Sequence, residues 1–324
     1  MAGGAQASES SGSRTRRPDA RVSVRARAAT LLVDARCTLG EGILWDAKRG
    51  ALFWTDIENS QLWMRVVASG DTHYWMLPER VGALAMGQSG RVLLGFEKRL
   101  CLVDIDTSTR VPLNINELAA VEPTVARTRV NDGRTDRNGN FVFGTLNEAE
   151  DKARIGSFYQ YSMKHGLRRL DLGGVAIPNS ICFSREGHTM YYCDSLDRRI
   201  MQCDYDADSA RVAHMREFVR LADDEGLPDG SVVDAGGSLW NAAWGAGQVR
   251  RYDTSGSIEM VIDVPAQNPT CPAFGGDGYR YLYVTSSRQE LTSEQLRRTP
   301  HAGGVYHCHL DDVVGLPDAL FQDA

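Results

Sequence analysis

The chain has 324 residues, 42% of them hydrophobic and 24% charged, with a formal net charge of −6. Six Arg against Glu9 and Asp19 make the first 28 residues +4, which leaves −10 on the rest, an acidic body that argues against a nucleic-acid partner. No apolar run approaches the roughly 18 residues of a membrane-spanning helix, and the seven cysteines are scattered with no CxxC pair, which predicts reduced thiols in a cytoplasmic protein.

Residues 1–28 are rich in Ser, Gly and Arg and lack the apolar centre of a secretory signal. They read as a disordered basic tail. Residues 29–324 read as one domain built from a repeat. In chain order a Gly- and Asp-rich turn meets an apolar strand six times: WDAKRGALFWTD, GQSGRVLLG, DRNGNFVFG, SREGHTMYYCD, DAGGSLWNA and GGDGYRYLYVT. Each is followed by a second strand: QLWMRVV, RLCLVDID, GSFYQYSM, RRIMQCDYD, GQVRRYD and GGVYHCHL. Phe53, Leu94, Phe143, Tyr192, Trp240 and Tyr283 anchor the units, at spacings of 41, 49, 49, 48 and 43 residues. Strands and turns at this period predict an all-β, six-bladed β-propeller with four-stranded antiparallel blades. Strands from the chain ends are expected to close the ring. The only helical signal is LTSEQLRRTP at residues 291–300, enough for one short helix over a loop.

Polar residues lie at matching offsets before the anchors. Glu41 lies 12 before Phe53, Asn131 12 before Phe143, Asn179 13 before Tyr192 and Asp229 11 before Trp240. The same register holds Gly82 in the second repeat and Thr270 or Cys271 in the sixth. Equal offsets mean equivalent positions in the blades, so an axial placement brings these residues together. Any single Asp, Glu or Asn beside Gly is most often a turn former; four in one register of four repeats are not explained that way. Glu41, Asn179 and Asp229 supply two carboxylates and an amide oxygen, a hard ligand set for one divalent cation such as Ca²⁺, Mg²⁺ or Mn²⁺, with Zn²⁺ and Fe²⁺ also compatible. Three protein ligands leave positions for water and substrate. Arg129 lies two before Asn131 on an extended segment, so both side chains share one face and can grip hydroxyls or a carbonyl. His307 and His309 fall after the anchor, and are expected at a solvated edge. Trp240 and Trp244 are expected to pack between blades. No GxSxG, HExxH, GxGxxG or P-loop occurs, which removes the usual serine-hydrolase, zincin and nucleotide-binding readings.

The segments LGEGILW, RVNDGRTDRNGNFVFGTL, IPNSICFSREGHTMYYCDS, LPDGSVVDAGGSLWNAAWGAGQVRRYD and CPAFGGDGYRYLYVTSS resemble the regucalcin/gluconolactonase family of sugar-lactone hydrolases. The resemblance covers roughly residues 35–310. It implies a six-bladed propeller with one divalent metal in the central channel, ligands at Glu41, Asn179 and Asp229, substrate contacts at Arg129 and Asn131, and Asp229 as general base. Where the family has Pro this chain has Ile43, and where Gly is common after the amide ligand it has Ser180. Some members add a substrate-contacting Glu in the loop after the GT pair. Here that loop reads NEAED and counting reaches Ala149, with Glu148 and Glu150 beside it; Glu148 is taken as the contact. The implied activity is metal-dependent opening of an aldonolactone, such as an L-arabinono-, D-galactono-, D-xylono- or D-gluconolactone, by a cytoplasmic monomer or weak homo-oligomer. A propeller phosphotriesterase or arylesterase is the alternative enzyme. A calcium-binding regulatory or scaffold propeller is the alternative without turnover.

Overall fold

The computed structural model describes Met1, Gly3 and residues 24–323; the rest of the tail expected over residues 1–28 lies outside the described residues. Six sheets stand side by side. Their inner strands are Gly40–Asp46, Val81–Met86, Thr128–Thr135, Pro178–Phe183, Leu227–Val233 and Asn268–Gly275. Each packs against the next, and the sixth meets the first, so they ring a central channel. The architecture is the expected six-bladed propeller, with antiparallel strands in chain order outward from the axis.

The second strands explain the apolar anchors. Phe53, Leu94, Phe143 and Trp240 are fully buried, with Tyr192 and Tyr283 nearly so. Each blade is covered on both faces, so its second strand is a continuous apolar run rather than an alternating one. Six apolar clusters fill the six gaps between neighbouring blades. The Asp of the turn motifs has a structural use. Asp136 Oδ1 accepts from the backbone N–H of Asn138 and Asn140, both at 2.9 Å. Asp234 Oδ1 accepts from Gly236 at 2.9 Å and Ser238 at 3.0 Å. These side chains close the lower turns of the third and fifth blades by replacing backbone acceptors.

Closure comes from the N-terminal side. Thr30–Val33 adds the outermost, antiparallel strand of the sixth blade, next to Val305–His309. Covering that edge removes a template for intermolecular pairing. Arg25–Ala28 departs from the expected tail: it pairs in parallel with Ile258–Asp263 as a fifth strand of the fifth blade. RARA has no apolar alternation to betray a strand. It is held by ladder hydrogen bonds and by ion pairs of Arg25 and Arg27 with Asp312. The short helix is present at Ser293–Arg298, capped by Thr292.

The last residues form a strap over the lower mouth of the channel. Ala235 N–H donates to Val314 O at 2.9 Å, Gly315 N–H to Tyr279 O at 2.8 Å, Phe321 N–H to Met86 O at 2.8 Å and Gln322 N–H to Gly139 O at 3.0 Å. The strap therefore touches the lower turns of the fifth, sixth, second and third blades.

Candidate metal-binding and catalytic site

A local irregularity recurs in all six inner strands. The ladder slips between Glu41 and Leu44, Val81 and Ala83, Val130 and Gly133, Asn179 and Cys182, Pro228 and Ser231, and Pro269 and Pro272. These are β-bulges, which bend a strand and re-aim side chains. They fall at the register singled out in the sequence, near the upper end of the channel. Two glycines let the bulges approach each other. A Cβ on Gly82 would lie 2.1 Å from Val130 O, and one on Gly230 would lie 2.9 Å from the Cα of Cys271.

The structure brings Glu41, Asp229, Asn179, Asn131 and Arg129 together. Asp229 is buried and Glu41 half-buried, and their carboxyl groups face each other. Glu41 Oε2 accepts from Gly42 N–H at 3.0 Å. A third carboxylate, Asp132, faces both and accepts from Ile181 N–H at 2.9 Å. Burial, and then the Asp132 charge, push Glu41 up to about 8. Burial, and then the Glu41 charge, raise Asp229 well above the ordinary carboxylate range. Asp132 is raised as well, by burial. Like charges held together away from water resist ionising.

The amides are oriented by hydrogen bonds that cross between blades. Asn179 Nδ2 donates to Ser195 Oγ at 3.0 Å, and Ser195 Oγ donates to Pro228 O at 2.7 Å. Asn179 Oδ1 is thereby turned toward Asn131, whose Nδ2 reaches it at 3.2 Å and Pro178 O at 2.9 Å. Arg129 donates from Nη1 to Asn131 Oδ1 at 3.0 Å and to Val130 O at 2.9 Å. Ser180, which follows Asn179, has φ +61°. It occupies the left-handed region that favours glycine, and its Oγ donates to Asp229 O at 2.6 Å. Asp56 and Asp194 clamp the entry to the strands that carry Glu41 and Asn179, accepting from Thr38 and Leu39 N–H and from Ala176 and Ile177 N–H respectively.

Glu148 stands at the rim above this cluster. Its Oε1 lies 2.8 Å from Arg80 Nη1 and 3.4 Å from Arg129 Nε. The second contact lacks hydrogen-bond geometry, so Arg129 Nε is a buried donor without a partner. Arg80 also donates to Glu97 Oε1 at 2.6 Å. Burial tends to raise the Glu148 carboxyl, but Arg80 and Arg129 together hold it below its usual value. Glu150 is exposed. His307 and His309 lie on the sixth blade's outer part, beside a groove of about 410 Å³ also lined by Arg27 and Tyr281, away from the channel. Trp240 is buried and packs edge-on against Phe274 of the next blade at 5.5 Å, whereas Trp244 is only half-buried.

Sequence reasoning missed Asp132, Arg80 and Ser195. Asp132 follows Asn131, and only a bulge lets adjacent residues serve one cavity. The donor set fits a hard cation. No guanidinium or ammonium among the described residues is hydrogen-bonded to Glu41 or Asp229, and Asn179 sits at the equivalent bulge of the inner strand next to that of Asp229. Among the described residues no group of three or more His, Cys, Asp and Glu side chains is arranged as a ligand cage; here the third donor is an amide.

Residues 39–288 match the family described as SMP-30/Gluconolactonase/LRE-like region. The chain is 44% identical over 280 residues to L-arabinolactonase of Azospirillum brasilense, covering 86% of this chain and 90% of that one. It is 30% identical over 291 residues to regucalcin of Gallus gallus, covering 88% and 95%. The solved structure of regucalcin from Agrobacterium tumefaciens, described as a calcium-binding protein, superposes with a TM-score of 0.83 at 32% identity, over 92% of this chain and 99% of that one. With its fold and most of its length matched, this chain belongs to the SMP-30/gluconolactonase family.

Proposed function

We propose that this protein hydrolyses the lactone of a sugar acid, a pentono- or hexonolactone, to the free aldonic acid with the help of one divalent cation. The observation that carries the proposal is the convergence of Glu41, Asp229 and Asn179 on the bulges at one end of the channel, with Arg129 and Asn131 beside them. The similarity to an L-arabinolactonase points the same way. Ca²⁺, Mg²⁺, Mn²⁺, Zn²⁺ or Fe²⁺ held by Glu41, Asn179 and Asp229 would polarise the lactone carbonyl and stabilise its developing negative charge.

The chain's own groups supply the rest. Asp229 is the general base: it takes a proton from water as the water oxygen bonds to the carbonyl carbon, and returns it to the ring oxygen as the C–O bond breaks. Arg129 offers its unpartnered Nε, and Asn131 its amide, to substrate oxygens. Glu148 accepts from a sugar hydroxyl at the rim while pairing with Arg80. The buried, unpaired thiols suit a reducing cytoplasm. A polar, ion-paired rim favours a hydroxylated substrate over the apolar ester of an arylesterase.

The test is proton release from a panel of L-arabinono-, D-galactono-, D-xylono- and D-gluconolactones. The protein is stripped of metal and resupplied with each cation in turn. Hydrolysis restored by a cation is expected for one or two of the sugars; silence across the panel with every cation sinks the proposal.

A further inference from the structure

The feature left unexplained by the site is a cation beneath it. Arg134 lies on the same inner strand as Arg129 and Asn131 but points to the lower half of the channel, with a side chain only 12% exposed. Its Nη1 donates to Asp318 Oδ1 at 2.5 Å, and its Nη2 lies 3.8 Å from Cys271 Sγ and 3.5 Å from Pro272 O. Asp318 belongs to the C-terminal strap, and so does Pro317, whose carbonyl accepts from Arg137 at 2.7 Å. Above the pair stands the cluster of Glu41, Asp132 and Asp229. Beside the Arg134–Asp318 pair is a void of about 30 Å³, lined in part by Gly42, Leu84, Gly133 and Cys271, large enough for water.

Once ionised, as a bound cation would require, these three carboxyl groups attract any mobile cation within reach, because screening is weak where water is largely excluded. The field of Arg134 already reaches Asp132. A long guanidinium side chain with no partner below it would turn toward that negative charge and compete with a bound metal ion.

We propose that Asp318 is a positioning residue for the metal site. By holding Arg134 down against the strap, it keeps the guanidinium off Asp132, Glu41 and Asp229, so that the charge they gain on ionising is left to the cation. The strap thus sets metal affinity from the opposite end of the channel. This rests on the metal-dependent reading above.

The experiment is a Mn²⁺ titration of the full-length protein, read by water-proton relaxation, with folding followed by circular dichroism and Tm. Asp318→Asn is expected to weaken Mn²⁺ binding about tenfold, equal to about 1.4 kcal/mol. The double variant Asp318→Asn/Arg134→Met is expected to restore it. Arg134→Met alone removes the competitor and is expected to bind Mn²⁺ at least as tightly as the parent, so it decides the matter if Asp318→Asn does not fold. Unchanged affinity in folded Asp318→Asn, no restoration in the double variant, or weaker binding by Arg134→Met overturns the proposal. Failure of the parent to bind Mn²⁺ overturns the metal reading itself, a different result from a parent that binds and variants that do not differ from it.

Discussion

The two ends of the channel are made by the same six strands and treat buried carboxylates in opposite ways. At the lower end Asp136 and Asp234 are saturated. Asp136 Oδ2 accepts from Tyr205 Oη at 2.7 Å and Asn140 Nδ2 at 2.8 Å. Asp234 Oδ2 accepts from Trp240 Nε1 at 2.9 Å and Arg251 Nε at 2.8 Å. At the upper end Glu41, Asp132 and Asp229 face one another, and the nearby guanidinium of Arg129 is turned to an amide and a backbone carbonyl. The turn acids hold the scaffold, whereas the bulge acids are kept in a costly arrangement that a proton or a bound cation relieves. Buried groups left in conflict are a mark of function when their neighbours are satisfied.

Removing one acid from each end separates the two roles. Asp229→Asn deletes the proposed base and is expected to lower kcat by about 10²–10⁴ in the metal-loaded protein, while relieving repulsion so that the metal-free protein melts no lower than the parent. Asp234→Ala leaves Arg251 Nε and Trp240 Nε1 without their acceptor, although Glu259 still pairs with Arg251 Nη1, and is expected to cost about 3 kcal/mol of stability, with turnover per folded molecule nearly intact. Urea melts and steady-state kinetics on both variants decide it. A large stability loss in metal-free Asp229→Asn, with little kinetic effect, would put that residue with the turn acids.

A pH series sharpens the same contrast. Glu41 is held at about 8 against an ordinary 4.5, so the unfolded chain gives up this proton first. Between those values the metal-free protein should lose stability as pH rises, since the unfolded state then binds fewer protons. The Tm of stripped protein is expected to fall from pH 6 to pH 8, and to fall less in Glu41→Gln. Saturating Mn²⁺ should flatten the slope. Equal slopes in stripped parent and Glu41→Gln would show that Glu41 is not the group responsible.

Most of the blade plan was legible because each blade is buried on both faces. That burial writes a continuous apolar second strand, such as the one around Phe143, and the turn before it demands an Asp such as Asp136. The register of Glu41, Asn131, Asn179 and Asp229 was legible because the bulge recurs at the same place in every repeat. What was not legible depends on pairs distant in sequence or on irregular backbone. Asp132 enters the site because a bulge breaks strict alternation. Arg80 meets Glu148 across two blades, 68 residues away. The strap has no strand pattern, and Asp318 looks like one more surface acid until its contact with Arg134 is seen. Arg25–Ala28 is a strand only because a neighbouring edge accepts it.

A smaller effect tests how the bulges are tuned. Ser195→Ala removes the hydroxyl that fixes the Asn179 amide and leaves Pro228 O without that donor. It is expected to cost about 1–3 kcal/mol and to weaken Mn²⁺ binding several-fold through a less ordered Oδ1. A variant that loses stability yet binds Mn²⁺ as tightly as the parent would leave Ser195 a purely structural link between blades.

The smallest expected effect compares two equivalent residues, Gly42 after Glu41 and Ser180 after Asn179, with φ +60° and +61°. The first bulge uses glycine, and a Cβ there would lie 2.8 Å from Leu84 Cδ2. The second holds a serine in the same backbone conformation through its bond to Asp229 O. Ser180→Gly exchanges backbone strain of roughly 1–2 kcal/mol for a hydrogen bond of about 1 kcal/mol, so stability should change by less than about 1 kcal/mol. Asp229 O keeps Asn241 Nδ2 at 2.9 Å. Ser180→Ala keeps the strain and loses the bond, and should be the less stable of the two. If alanine proves the more stable, strain is not what distinguishes this position, and the serine hydroxyl contributes little to placing Asp229.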